Sequence, residues 1–235
     1  MGVMRSVLVT GSSGRVGSRL LTSLERGGWD VHPFDLATGG DLRDEASVVT
    51  ASAGCDVIVH AGAIPHDSAG TPADIVATNL LGTWHVLLAA EQHAVSSVVC
   101  FSSVQVFGFT EGEGTPDRLP VDDAHPLRAA RPYGMSKRLA EEMCAAWTTR
   151  TGITTVVLRP VRILDDEKLA VITEADTELG AFVHVDDVVD AAVRAAERDL
   201  AGHHRMTLCG PGPFDTAIAR RLLGWTARRT WPTRA

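Results

Sequence analysis

The sequence predicts an α/β fold: a doubly wound parallel sheet with helices on both faces. Short apolar blocks alternate with stretches of helical spacing along the chain, the pattern of repeated β–α units. The blocks are apolar at nearly every position rather than every second one, so their strands are buried on both sides. The turn after the first block, Gly11-Ser12-Ser13-Gly14-Arg15-Val16-Gly17, places three glycines where a strand hands over to a helix.

In chain order, residues 7–10 (Val7-Leu8-Val9-Thr10) form the first strand and 16–26 a helix with apolar residues at helical spacing. Residues 29–34 give a second strand, 44–51 a short helix, 56–60 a third strand, about 72–93 a long helix and 98–101 a fourth strand. Residues 109–131, rich in Gly, Pro and charge, read as a loop over the sheet edge, with 111–123 as part of a lid. A helix over 133–150, a β-branched strand over 154–158, a helix over 185–198 and a strand over 205–209 complete the pattern. There is no internal repeat and no low-complexity segment. The 235 residues suit one domain, 1–235.

Composition excludes several classes. The net charge of −7 opposes a nucleic-acid partner, which needs a basic face. The hydrophobic residues, 45% of the chain, fall in short blocks and never in a run of eighteen, so no membrane span is expected, and residues 1–10 do not read as a secretory signal. Cys55, Cys100, Cys144 and Cys209 lie far apart without a C-x-x-C pair, which suits a reduced, cytoplasmic protein with no metal site. His66, His85, His93 and His125 are scattered, with no carboxylate or cysteine at metal-ligand spacing, and read as structural or surface residues.

The glycine turn has a physical logic. The chain must reverse sharply, let a pyrophosphate approach its backbone and pack the helix closely on the strand, and each demand disfavours a side chain. The helix N-terminus then offers free N–H groups and a positive dipole end to phosphate. This is the Rossmann-type arrangement for a dinucleotide. Asp35 ends the second strand, where a carboxylate accepts the hydroxyls of the adenosine ribose and repels a 2′-phosphate. NAD is therefore expected ahead of NADP. Arg15 argues the other way, since a guanidinium beside the turn can hold that phosphate.

Tyr133 is the single tyrosine of the chain, and Lys137, one of only two lysines, follows it by four positions on the same helix face. Moving a hydride to or from a carbinol carbon requires a group that takes or gives the hydroxyl proton. A phenol ordinarily titrates near 10, and a neighbouring ammonium favours its ionised form. Ser102 and Ser103 follow the fourth strand at the end where open parallel sheets bind ligands, so a serine hydroxyl can bond the substrate oxygen. The catalytic candidates are Ser103, Tyr133 and Lys137. Arg162 also falls near that end, where it can meet a substrate carboxylate or phosphate.

With these residues the chain resembles the extended short-chain dehydrogenase/reductase superfamily, in its NAD-dependent epimerase/dehydratase branch. Gly11, Gly14 and Gly17 resemble its nucleotide turn, and Asp35 its ribose acid. Asp41-Leu42 is similar to its adenine-contacting pair, and His60-Ala61-Gly62-Ala63 to its cofactor-lining strand end. Asn79, Gly82 and Thr83 resemble its N-x-x-G-T segment, and Phe101 to Gly108 its S-S-x-x-V-Y-G segment with Phe107 in place of the tyrosine. Tyr133 and Lys137 match its Y-x-x-x-K, while Leu158-Arg159-Pro160 and Phe182 to Val188 resemble two later motifs.

The resemblance implies cofactor contacts from Gly11, Ser13, Gly14, Arg15, Val16, Gly17, Asp35, Asp41, Leu42, Ala61, Gly62, Ala63, Asn79, Phe101, Ser102, Tyr133, Lys137, Pro160 and Val161. It also implies a homodimer built on the helices at 72–93 and 133–150. Only about twenty residues separate Pro160 from Phe182, where the family carries its sugar-nucleotide insert. A reduced C-terminal substrate lobe is expected, with small substrate-binding elements at about 161–184 and 203–235. The implied activity is NAD(P)-dependent hydride transfer, as oxidoreductase or epimerase, at a carbinol or ketone of a sugar or sugar-nucleotide-like small molecule. The alternatives are a small ketoreductase of a natural-product pathway and a non-catalytic NAD(P)-binding sensor.

Overall fold

The computed structural model describes residues 4–109 and 114–231. Residues 110–113, in and beside the expected lid, and 232–235, at the end of the expected C-terminal element, lie outside the described residues. Six strands form one parallel sheet: β1 (Ser6–Thr10), β2 (Asp30–Phe34), β3 (Val57–His60), β4 (Ser97–Phe101), β5 (Thr154–Pro160) and, after two short strands, β8 (His203–Leu208). Their order is β2-β1-β3-β4-β5-β8. The winding reverses between β1 and β3, which opens a crevice at their C-terminal ends.

The apolar blocks sort by side-chain alternation into two layers. Val7 and Val9 of β1 and Val57 and Val59 of β3 pack in one core with Leu20 and Leu24 of α1 (Gly17–Arg26) and Val188 and Ala192 of α7 (Val185–Glu197). Leu8 and Ile58 face the other side, against Val48 of α2 (Glu45–Ala51) and Val86 and Ala90 of α4 (Gly82–Gln92). That side also carries α5 (Pro132–Thr151), whose Cys144 and Trp147 pack on Cys100 and Val157. The β2 edge carries Pro33, whose missing N–H is tolerated at an edge strand.

The long helix expected at 72–93 runs over Pro72–Gln92 as α3 (Pro72–Ile75), a π-helical stretch (Val76–Leu81) and α4. Although no run of eighteen apolar residues exists, this helix is long and apolar enough to cross a membrane, with half of its apolar window buried inside the fold. One strand end runs further than its apolar block indicated. β5 continues through Arg159 and Pro160, paired with Thr207 and Leu208 of β8, because Arg159 finds a buried carboxylate partner.

The reduced lobe consists of β6 (Ile163–Leu164) paired with β7 (Val183–His184), and α6 (Asp166–Val171) between them. Leu164, Leu169 and Phe182 make its small core against Trp231. A terminal helix, α8 (Ala217–Leu223), ends at Gly224 in the left-handed conformation. The buried Trp225 ring then donates to the carbonyl of Asp187 at 2.8 Å, closing the C-terminal segment onto α7.

Candidate active site

A cavity of about 700 Å³ lies at the C-terminal ends of β1, β3, β4 and β5, roofed by the reduced lobe. Its floor is the glycine turn, and the three glycines do different jobs. Gly11 has φ +69°, and a Cβ there would stand 2.6 Å from Gly62 Cα. A Cβ on Gly17 would come within 2.0 Å of the Gly11 carbonyl oxygen. Both are glycine because backbone packs on backbone. Gly14 faces the cavity, where a Cβ would meet only the Gly11 oxygen at 3.2 Å and otherwise fill the cavity floor. The α1 helix begins with no side-chain cap and no acidic residue in its first turn, so its positive end is free of side-chain acceptors and suits an anion, although the Ser18 amide is already bonded to the Gly14 carbonyl at 3.0 Å. Ser12 Oγ, in the glycine turn, is buried with no hydrogen-bond partner among the described residues.

Asp35 is brought to this turn. Its Oδ2 accepts from the amide of Ser13 at 3.2 Å, and its Oδ1 accepts from the amide of Ala37 at 3.1 Å. Arg15 turns away from Asp35 toward the lobe, donating to the carbonyl of Ile163 at 3.1 Å and pairing with Asp165 at 3.5 Å. Its guanidinium is thus engaged on the lobe side of the cavity.

Val16, Ala61, Ala63, Pro160 and Val161 line the cavity as expected from their places at strand and helix ends. Ser13, Asp35, Asp41, Leu42, Gly62 and Asn79 are not among its lining residues. The Asp41 carboxylate is gripped by Arg43 at 2.7 Å, which holds it below the usual carboxylate range. Leu42 is buried behind Gly62 and Gly82, and Gly62 itself donates to Thr10 Oγ1. Asn79, fully buried, spends its amide on the backbone of Ile64, through bonds of 2.8 and 3.0 Å, and on Ser136 Oγ at 3.2 Å. It shapes the loop after β3 and does not line the cavity.

Tyr133 and Lys137 stand one turn apart on α5, and both line the cavity. The Lys137 ammonium lies 5.9 Å from the Tyr133 ring centre and donates to the carbonyl of Phe101 at 2.8 Å. Burial pulls the Lys137 pKa below the ordinary lysine value, while Cys100, Glu141 and Cys144 push it back up. Ser103 lines the same cavity, and its Oγ accepts from the amide of Gln105 at 3.2 Å at the start of a 3₁₀ turn. The three expected catalytic residues therefore line one cavity together with the glycine turn.

Sequence reading missed the support behind these residues. Ser102 Oγ donates to Glu141 Oε1 at 2.6 Å, and Glu141 accepts two bonds from the fully buried Arg159, at 2.9 and 2.5 Å. The available signal was spacing: Glu141 follows Lys137 by four positions on the same helix. His66 and Arg162 also line the cavity, with Lys168 of α6 beside Arg162 on its lobe side. Among the described residues, no group of three or more His, Cys, Asp or Glu is placed to hold a metal.

A model of the NAD dependent epimerase/dehydratase family matches residues 7–164. A uronate dehydrogenase of Pseudomonas putida is 32% identical over 65% of this chain and 59% of its own length. A 4-hydroxy-2-methyl-3-oxo-4-farnesyl-3,4-dihydroquinoline-1-oxide ketoreductase of Stigmatella aurantiaca is 30% identical over 83% of this chain and 65% of its own. The chain thus spans less than two thirds of the length of either relative. In fold, it is similar to a short-chain dehydrogenase/reductase superfamily protein of Agrobacterium tumefaciens solved with bound NAD, with a TM-score of 0.84, 24% identity, and 97% of this chain and 94% of that one covered.

Proposed function

Since this chain belongs to the NAD-dependent epimerase/dehydratase family, we propose that it binds NAD on the glycine turn and catalyses hydride transfer at a carbinol or ketone of a small sugar-like substrate. The observation that carries the reading is the one cavity lined by Ser103, Tyr133, Lys137 and the glycine turn. The residues present fit the cofactor. The positive end of α1, which no side chain caps, and the open face of Gly14 suit a pyrophosphate, and the half-exposed Asp35 carboxylate suits an adenosine ribose.

When bound, the nicotinamide ring supplies the hydride acceptor or donor. The protein's own residues handle the proton. In the oxidative direction the Tyr133 phenolate takes the carbinol hydroxyl proton; in the reductive direction the phenol returns it to the carbonyl oxygen. Ser103 Oγ donates to the same substrate oxygen and holds it beside the phenol. The Lys137 ammonium favours the phenolate, and its bond to Phe101 fixes it there. An intact acid–base pair on the cavity wall has no use in a pure dinucleotide sensor.

The lobe is too small for a full sugar-nucleotide clamp, and Arg162 and Lys168 make its side of the cavity basic, which supports a compact, anionic substrate such as a sugar acid. The second reading, a natural-product ketoreductase, is favoured by the ketoreductase alignment, which runs along 83% of this chain. Exposed Val76, Leu81, Trp84 and Leu139 on the Pro72–Gln92 helix and α5 support a homodimer through these helices. The test is a panel of uronic acids, sugar nucleotides and cyclic ketones with NAD(H) or NADP(H), followed at the nicotinamide absorbance with wild-type and Tyr133→Phe protein. Turnover that Tyr133→Phe abolishes supports the reading. Full turnover by Tyr133→Phe contradicts it.

A further inference from the structure

Helix α5 starts on Pro132 but supplies no side-chain acceptor of its own for its first amides. Its N-cap, Arg131, makes no side-chain capping bond, and its first turn contains no acidic residue. The missing acceptor comes from 66 positions back in the chain. Asp67, in the loop that follows β3, accepts the Tyr133 amide proton on Oδ1 at 2.7 Å. The second backbone group of Tyr133 is also held, because its carbonyl accepts from Ser136 Oγ at 2.7 Å. Ser136 Oγ in turn accepts from Asn79, whose amide is bonded to Ile64 of the Asp67 loop. Asn79 sits in the π-helical stretch, a helix irregularity that recurs at functional sites. Both backbone groups of Tyr133 are thus tied to the loop whose Ala61, Ala63, Pro65 and His66 line the cavity.

We infer that Asp67 is a positioning residue for Tyr133, setting the phenol's place and its readiness to ionise; this rests on the reading of Tyr133 as the acid–base group. A carboxylate at a helix N-terminus offsets the positive dipole end. Helical side chains lean toward the N-terminus of their helix, so the phenol leans toward the Asp67 end of α5. There the negative charge of Asp67 opposes a phenolate, against the pull of Lys137. The other ionisable groups on the surrounding elements include His66 on the same loop, Arg131 before the helix, Arg138, Glu141 and Glu142 further along α5, Asp74 on α3, and Arg15, Arg162 and Lys168 lining the cavity. Asp67→Asn changes none of them. The second Asp67 oxygen is buried with no hydrogen-bond partner among the described residues, so the carboxylate charge is shielded from bulk water on that side.

The sole tyrosine makes the test direct, since phenolate absorbs at longer near-ultraviolet wavelength than phenol and no other tyrosine contributes. Asp67→Asn keeps an acceptor for the Tyr133 amide and removes the charge. It is expected to lower the Tyr133 midpoint by about one pH unit and to move the basic limb of the oxidative kcat/KM profile down equally. Asp67→Ala, which also removes the acceptor, is expected to lower kcat by on the order of 10-fold with the NAD dissociation constant unchanged. Melting temperatures of both variants confirm that each is folded at the assay temperature. A midpoint and pH profile unmoved by Asp67→Asn, with kcat intact in Asp67→Ala, would overturn the inference while a midpoint still sensitive to Lys137→Met left Tyr133 as the acid–base group. A midpoint near 10 that ignores Lys137 as well would sink both.

Discussion

The Lys137 ammonium donates a 2.8 Å hydrogen bond to the carbonyl oxygen of Phe101, joining α5 to the end of β4. The same few residues are joined again by the bond from Ser102 to Glu141. Lys137 therefore holds the strand that presents Ser103 and also lends its charge to the phenol beside it. Lys137→Met is expected to lower turnover by on the order of 100-fold and to weaken NAD binding, because the cavity wall shifts along with the charge. Steady-state kinetics and a fluorescence titration with NADH measure the two effects. Loss of turnover with unchanged cofactor affinity would confine Lys137 to the proton chemistry.

Asp35 sits at the glycine turn with both oxygens bonded to backbone amides, and Arg15 is turned away to Asp165. NADH is expected to bind more tightly than NADPH, and Asp35→Ala to narrow the ratio by about 10-fold, the size of one charge-assisted hydrogen bond. Tryptophan-fluorescence quenching by each cofactor gives the ratio. A wild-type preference for NADPH would reverse the roles of Asp35 and Arg15.

The Arg159–Glu141 pair is fully buried. Arg159 also donates to the Asp123 carbonyl at 3.1 Å, with the Asp123 carboxylate 3.5 Å away, so Glu141→Ala removes the closer of two buried partners and is expected to cost about 3 kcal/mol of stability, read from denaturant unfolding. A loss under 1 kcal/mol would mean that Asp123 alone suffices to hold the guanidinium.

His60 is buried between Thr10 and Thr83, and burial, then the charge of Lys137, drive its pKa down from 6.5 to about 3. Between those values the unfolded chain binds a proton that the folded chain refuses. This contribution is fully present above 6.5 and is lost as pH falls toward 3. His60→Gln is expected to flatten the pH dependence of stability between pH 4 and 6 by about 1.4 kcal/mol per pH unit. The remaining slope includes His203, pushed down to about 4 by burial. Parallel curves for wild type and variant would show that His60 titrates normally.

The central strands β1, β3, β4 and β5 were legible because they are buried throughout and mostly apolar, whereas the edge strands β2 and β8 are partly exposed and carry Asp30, His32, His203 and Arg205. The glycine turn was legible because backbone contact at Gly11 and Gly17 admits no Cβ. Tyr133 and Lys137 were legible from their four-residue spacing. What stayed hidden depends on contacts distant in sequence. Asp67 looks like any loop carboxylate until the fold brings it to Tyr133, and Arg159 looks like the end of a strand until Glu141 buries it. The lobe helix α6 is six residues long, too short to show a period. Asn79 and Leu42 were placed at the cofactor by family resemblance, and the fold uses them one layer behind the cavity wall.

The most direct test of the acid–base assignment is the spectrophotometric titration of the single tyrosine in wild-type and Lys137→Met protein, each alone and with NAD. The expected result is a wild-type midpoint well below the ordinary phenol value of about 10, lower still with NAD, raised by Lys137→Met, and matching the basic group that limits oxidation in the pH–rate profile. A midpoint near 10 that is indifferent to Lys137 and to NAD would contradict it and leave Tyr133 an ordinary residue of α5.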